Sequence, residues 1–219
     1  AWQYFFHSAL IALSIALLLI TFQVPLKGLA FTLAGGSSEV QHFGQLYFDI
    51  RIFSAPAALL NLVILGYFVG SQRIKWVVYQ LLGVNLVNIA LDLLFVVVMG
   101  WGVAGAAAAS VIADYCGLFL LLSVLMPQLK QQLAQTRFAI RREMFSKLFR
   151  LNRDIFIRSL ALQLCLAFVT ATGARLGDTY VAANAILLNF FLFAAYGLDG
   201  FAYAAESMVG RAKGKNNPN

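Results

Sequence analysis

Five of the polar side chains within two apolar runs long enough to cross a bilayer form a candidate site. Asn85, Asn88 and Asp92 lie in Val77–Met99, and Ser110 and Asp114 lie in Val103–Met126. A carboxylate at membrane depth is costly and usually functional. The two runs predict a helical hairpin folded about Gly100-Trp101-Gly102. Asp92 stands nine residues before Trp101 and Ser110 nine after it, so each is expected roughly 13 Å from the turn and facing the other. On the first arm, Asn85, Asn88 and Asp92 fall within an arc of about 60°. Asn88 and Asp92 are spaced i, i+4, so one can hydrogen-bond the other.

The chemistry open to such a cluster is exchange of a small cation. A proton or a sodium ion neutralises a charge that the bilayer penalises. Asp92 is the candidate coupling carboxylate, with Asn88 and Ser110 as its hydrogen-bonding neighbours. Asn85 equally suits interhelical hydrogen bonding that only fixes packing. Asp114 is one turn further from the hairpin turn than Ser110, and its spacing allows the same cavity or a different face. Gln163 in the fifth apolar run and Asp199 in the sixth are deeper polar groups. Together with Asn85 and Asp114 they are candidates to line a substrate cleft. Glu206 shares a face with Asp199 but lies near the end of its run, where it reads as solvated or paired with Arg211.

No sequence pattern supports covalent catalysis or nucleotide hydrolysis. There is no HExxH, no Walker loop, no GxSxG and no glycine-rich phosphate turn. Cys116 and Cys165 both sit in apolar runs and read as two buried thiols. No catalytic residue, metal site or organic cofactor is expected.

The elements that must position these groups are membrane spans. Of the 219 residues, 61% are hydrophobic and 11% charged. Soluble domains average about 45–50% apolar and about 25% charged residues, so a charged surface around an apolar core is excluded. The expected class is an all-α, polytopic transmembrane protein with six spans, at about Phe5–Pro25, Phe48–Gly70, Trp76–Met99, Val103–Met126, Ile155–Ala174 and Tyr180–Val209. Pro56 predicts a kink in the second. Gly66 and Gly70 predict close helix approach there, as does the small-residue start of the fourth, GVAGAAAAS. Ala34–Gly44 (AGGSSEVQHFG) reads as a loop, and Asp178 as a helix N-cap.

Pro127–Arg153 holds seven Lys or Arg against one acid, Glu143, with Met144, Phe145, Leu148 and Phe149 on one face. It reads as a basic amphipathic linker helix on the membrane surface. Three parts follow: four spans in 1–126, the linker in 127–153, and two spans with a tail in 154–219. Alternating loops place twelve of the sixteen basic residues on one side, including the linker and the C-terminal tail. By the positive-inside rule the linker and both ends are cytoplasmic. The net charge of +7 is thereby explained without an anionic substrate, and nucleic acid is not expected as a partner. The first residue is not Met, and the polar tail follows a helix directly, which reads as a fragment cut at both ends.

Several ordered segments resemble the multidrug and toxic compound extrusion (MATE) transporters, in their DNA-damage-inducible F branch. They are GVAGAAAASVIADY (Gly102–Tyr115), the preceding Asn88-x-x-x-Asp92, LNRDIFIRSLALQLC (Leu151–Cys165), the GARLG turn (Gly173–Gly177) and Val181–Gly210. The resemblance implies twelve helices in two six-helix bundles, with this chain supplying the third to the eighth. It implies that Asn88, Asp92 and Ser110 belong to the amino-lobe cation site, whose principal carboxylate lies on an earlier helix. It also implies export of amphiphilic, often cationic compounds in exchange for H⁺ or Na⁺, by a protein monomeric at full length in a bacterial inner membrane. The rival readings are a lipid-linked oligosaccharide flippase of the same superfamily and a non-transporting membrane scaffold. A flippase cleft should carry several inward-facing cations, whereas the deep polar groups here are mostly acids and amides.

Overall fold

The chain is helical throughout the residues that the computed structural model describes, 2–35, 37–135 and 142–214. The elements are α1 (Trp2–Thr21), α2 (Gln23–Ala34), α3 (Ser38–Arg51), α4 (Ala55–Gly70), α5 (Ile74–Asp92), α6 (Gly102–Gln135), α7 (Arg142–Leu176) and α8 (Asp178–Gly214). A 3₁₀ turn, Ile52–Ser54, joins α3 to α4, and a π-helical turn, Leu93–Val98, extends α5. Six stretches are long and apolar enough to cross a membrane: Trp2–Thr21, Ser38–Gly70, Ile74–Val98, Gly102–Gln132, Asn152–Leu176 and Thr179–Ala202. The all-α, six-span expectation therefore stands.

Several boundaries differ from expectation. The glycine- and serine-rich stretch is a helix from Ser38 onward, because the Ser37 side chain caps α3 by accepting from the Val40 N–H. Lys27 on α2 then pairs with Asp49 on α3 at 2.8 Å. Pro127 does not end α6, since the good helix formers of Leu129–Gln135 carry the helix on. The described part of the basic linker beyond residue 141 is no separate surface helix. It runs into the fifth span as one helix, α7, with no Gly or Pro between Arg142 and Thr172 to stop it. Residues 136–141, with Arg137 and Arg141, and the tail 215–219 lie outside the described residues. Helix α8 has Asp178 as its first residue, after Gly177 at φ +119°.

The described residues form two compact units that divide within α7, between Ala161 and Leu162. In the first, Ala57, Ile64 and Phe68 of α4 pack against Leu118, Leu121 and Leu125 of α6. The small face of α6 is its point of closest approach, with Ala107, Ala109 and Ala113 essentially fully buried. A Cβ on Gly105 would come within 3.0 Å of Phe95, and one on Gly117 within 2.4 Å of Val84 Cγ2. Gly66 and Gly70 play no such part: nothing lies within 4 Å of a Cβ built on either. Cys116 and Cys165 are exposed rather than buried. In a bilayer the outward surface is itself apolar, so a thiol there needs no core. The second unit pairs the end of α7 with α8 at the buried Gly173, where a Cβ would meet Asn184 Nδ2 at 2.6 Å.

The second span is interrupted where Pro56 offers no N–H to the carbonyl of Ile52. Ala55 N–H takes that carbonyl instead, as a 3₁₀ bond. Side chains satisfy the carbonyls around the break: Ser54 Oγ donates to Arg51 O at 2.9 Å, and Tyr115 OH on α6 donates to Phe53 O at 2.9 Å. The predicted kink is thus a helix break. Arg51 Nη1 donates to Ser54 Oγ and to Asp114 Oδ2, pinning the break to α6.

Two predictions follow from this packing. Gly117→Ala will lower stability by about 1–3 kcal/mol through overpacking against the stiff Val84, despite the helix-propensity gain. Gly66→Ala, at an open position, will raise it by up to about 1 kcal/mol. Thermal unfolding in detergent separates them, and equal melting temperatures would remove the close-packing role of Gly117. Arg51→Gln and Asp114→Asn will each cost on the order of 3 kcal/mol by leaving the partner charge unpaired at membrane depth. The double variant will cost clearly less than the sum, whereas strict additivity in a double-mutant cycle would show no working pair.

Candidate functional site

The hairpin of α5 and α6 turns at Gly100 and Gly102, both at positive φ, +69° and +54°. Only glycine adopts such angles without strain. Trp101 stacks on Phe95, with centroids 5.1 Å apart, and its N–H donates to Phe95 O. The close fit of Gly105 on Phe95 brings the arms together directly below the turn.

The two arms meet through Asn88, whose Nδ2 donates to Ser110 Oγ at 3.2 Å. Asp92 does not take that place, and Asn88 is not bonded to Asp92. The π-helical turn Leu93–Val98 and the non-helical Met99–Trp101 both shift the register from a straight α-helical count. A π turn packs more residues into each turn, so first-arm residues lie nearer the hairpin turn than an α-helical count gives. Ser110 then meets Asn88, one turn deeper than Asp92. Asp92 is half-buried, and its Oδ1 is a buried acceptor with no hydrogen-bond donor among the described residues.

Asp114, one turn along α6 from Ser110, is committed elsewhere. Its carboxylate pairs with Arg51 Nη1 at 2.5 Å, and its backbone carbonyl accepts from Asn61 Nδ2 at 2.9 Å. Asn85 is exposed and donates to its own helix at Leu81 O, so it does not join the Asn88–Ser110 contact. Gln163 and Asp199 are exposed residues of the second unit. The first unit thus brings together Asn88 and Ser110, with Asp92 one turn from Asn88, and separates Asn85 and Asp114 from them.

Three participants were not singled out from sequence. Arg51 falls three residues inside an apolar run, and a guanidinium there requires a carboxylate partner. Asn61 and Gln80 are both buried, at 6% and 4% exposure, and converge on Gly117. Amides inside apolar runs carried that signal.

The MatE family model matches residues 1–94 and 155–219, including Asn88 and Asp92 but not Ser110. DNA damage-inducible protein F of Escherichia coli (strain K12) is 41% identical over 210 residues, covering 94% of this chain and 45% of that protein. Protein DETOXIFICATION 43 of Arabidopsis thaliana is 32% identical over 163 residues, covering 74% of this chain and 30% of its own length. Protein DETOXIFICATION 42 of the same plant is 28% identical over 200 residues, covering 91% and 38%. The chain spans less than half the length of these relatives. No solved structure matches it. With a family model across most of its length and a hairpin that carries Asn88 and Asp92 at membrane depth, this multi-pass membrane chain belongs to the MatE family, whose members are transporters rather than enzymes.

Proposed function

We propose that this chain is part of a secondary active exporter that moves amphiphilic, often cationic organic compounds outward in exchange for H⁺ or Na⁺. The observation that carries the reading is the contrast between two carboxylates on one hairpin. Asp114 is neutralised by the fixed guanidinium of Arg51, while the nearest site neighbours of Asp92, Asn88 and Ser110, are neutral. A buried acceptor without a fixed cation is suited to an exchangeable one.

Coupling then takes a simple form. A proton or sodium ion at Asp92 stabilises one packing of the first bundle, and substrate stabilises the other. Each ligand shifts the equilibrium by its differential affinity for the two states. Asn88 and Ser110 act as positioning residues, since their mutual bond fixes the first arm against α6. Asp199 and Gln163 contribute from the second bundle, beyond the linker 127–153. The basic residues set the linker and both ends in the cytoplasm of a bacterial inner membrane, and the full-length protein works as a monomer without nucleic acid.

Asp92→Asn in the full-length protein will abolish dye efflux from vesicles, at least tenfold, while leaving membrane insertion intact. Asn88→Ala and Ser110→Ala will weaken efflux several-fold. Efflux is to be measured under separately imposed pH and sodium gradients, and the gradient that drives the wild type identifies the ion. Wild-type efflux by Asp92→Asn under that gradient would remove Asp92 from coupling.

A further inference from the structure

The first unit carries a groove unrelated to the hairpin site. One cavity of about 750 Å³ lies between α1, α4 and the first half of α7, with Ile15, Leu62 and Phe156 among its apolar walls. A second, of about 580 Å³, continues along the seam of α1 and α4 and shares Ser8, Leu62 and Val63 with the first. The second cavity rises from Leu62 to Tyr4 and Ser71, at the ends of α1 and α4, so both cavities open toward one face and meet at Leu62. All the lining residues belong to the first unit.

The groove is polar at one end only. Arg150 and Arg153 of α7 line the larger cavity beside the start of the span Asn152–Leu176. Arg153 reaches Asp154 at 3.3 Å, but both are largely exposed and such a pair holds its charge loosely. No ion pair of Arg150 occurs among the described residues. The depths agree. Ser8 is six residues from the start of α1, Leu62 eight from the end of α4, and Phe156 four into the α7 span. At about 1.5 Å per residue, the apolar walls begin roughly 6–12 Å below one membrane face. That face is the one on which the basic residues concentrate.

We propose that this groove seats an anionic phospholipid of the inner leaflet, with its phosphate on Arg150 and Arg153 and an acyl chain along the apolar wall of the larger cavity. An apolar groove under a pair of guanidiniums complements that molecule in polarity and charge. It repels the organic cations that the transport reading assigns as substrates, so the site is separate from that reading. It rests only on the sidedness that the basic residues give.

Thermal unfolding of the purified protein in neutral detergent, titrated with lipid, tests the assignment. Phosphatidylglycerol will raise the melting temperature saturably, at a concentration at least tenfold below that needed with phosphatidylcholine. Arg150→Gln/Arg153→Gln will lose that preference. Arg73→Gln/Lys75→Gln, on the same side but outside the groove, will retain it. Leu62→Trp, which fills the junction of the two cavities, will weaken phosphatidylglycerol at least several-fold. The proposal is overturned if the two lipids act alike on the wild type, if inorganic phosphate alone reproduces the effect, or if the Arg73/Lys75 variant loses the preference as fully. It is equally overturned if Leu62→Trp and the Arg150/Arg153 variant both leave the titration unchanged, the result expected were a protein element seated there instead.

Discussion

How closely α6 can be approached decides the structure of the first unit. Its buried face is Ala107, Ala109, Ala113 and Gly117, and its neighbours reach it because no side chain stands in the way. Within a bilayer no hydrophobic gain favours helix pairing, so association depends on van der Waals fit and on hydrogen bonds that close approach permits. Three polar ties of α6 are of that kind. Asn61 reaches the carbonyl of Asp114, Tyr115 reaches Phe53 O, and Asn88 reaches Ser110.

Two departures from α-helical geometry sit beside the polar groups that matter most. The 3₁₀ turn Ile52–Ser54 lies between Arg51 and Pro56, and the π turn Leu93–Val98 begins directly after Asp92. Both free or shift backbone groups that lipid cannot satisfy, and at the first break neighbouring side chains take up the freed carbonyls. Such breaks also let a helix end move relative to its remainder. The break at Arg51 is held by an ion pair to α6, and the π turn by the Phe95–Trp101 stack.

The span count, the hairpin and its glycine turn were legible in the sequence because they depend on run length and on residues that permit positive φ. The facing of the two arms was legible to within one helical turn. Counting from Trp101 paired Asp92 with Ser110, and the structure pairs Asn88 with it. A π turn changes the rise, and Met99–Trp101 leave the helix, without a mark in the apolar pattern of Leu93–Val98. Glycines were read less well. Gly66 and Gly70 have the spacing of a packing motif but face open space, whereas Gly117, in no motif, is where Gln80, Val84 and Asn61 converge. Spacing says which residues share a face, not what that face meets. The same gap hid Arg51, whose partner is 63 residues away in sequence.

The two hairpin carboxylates show what the fold adds to the family assignment. Both lie at membrane depth, and each must be neutralised or hydrogen-bonded. Asp114 meets this requirement with the Arg51 guanidinium, which ties the broken second span to α6. Asp92 has amide and hydroxyl groups nearby and a buried oxygen that no described donor reaches. Roughly one to two helical turns separate the fixed pair from the unpaired carboxylate, so the arginine that ties the second span to α6 leaves Asp92 Oδ1 without a donor among the described residues.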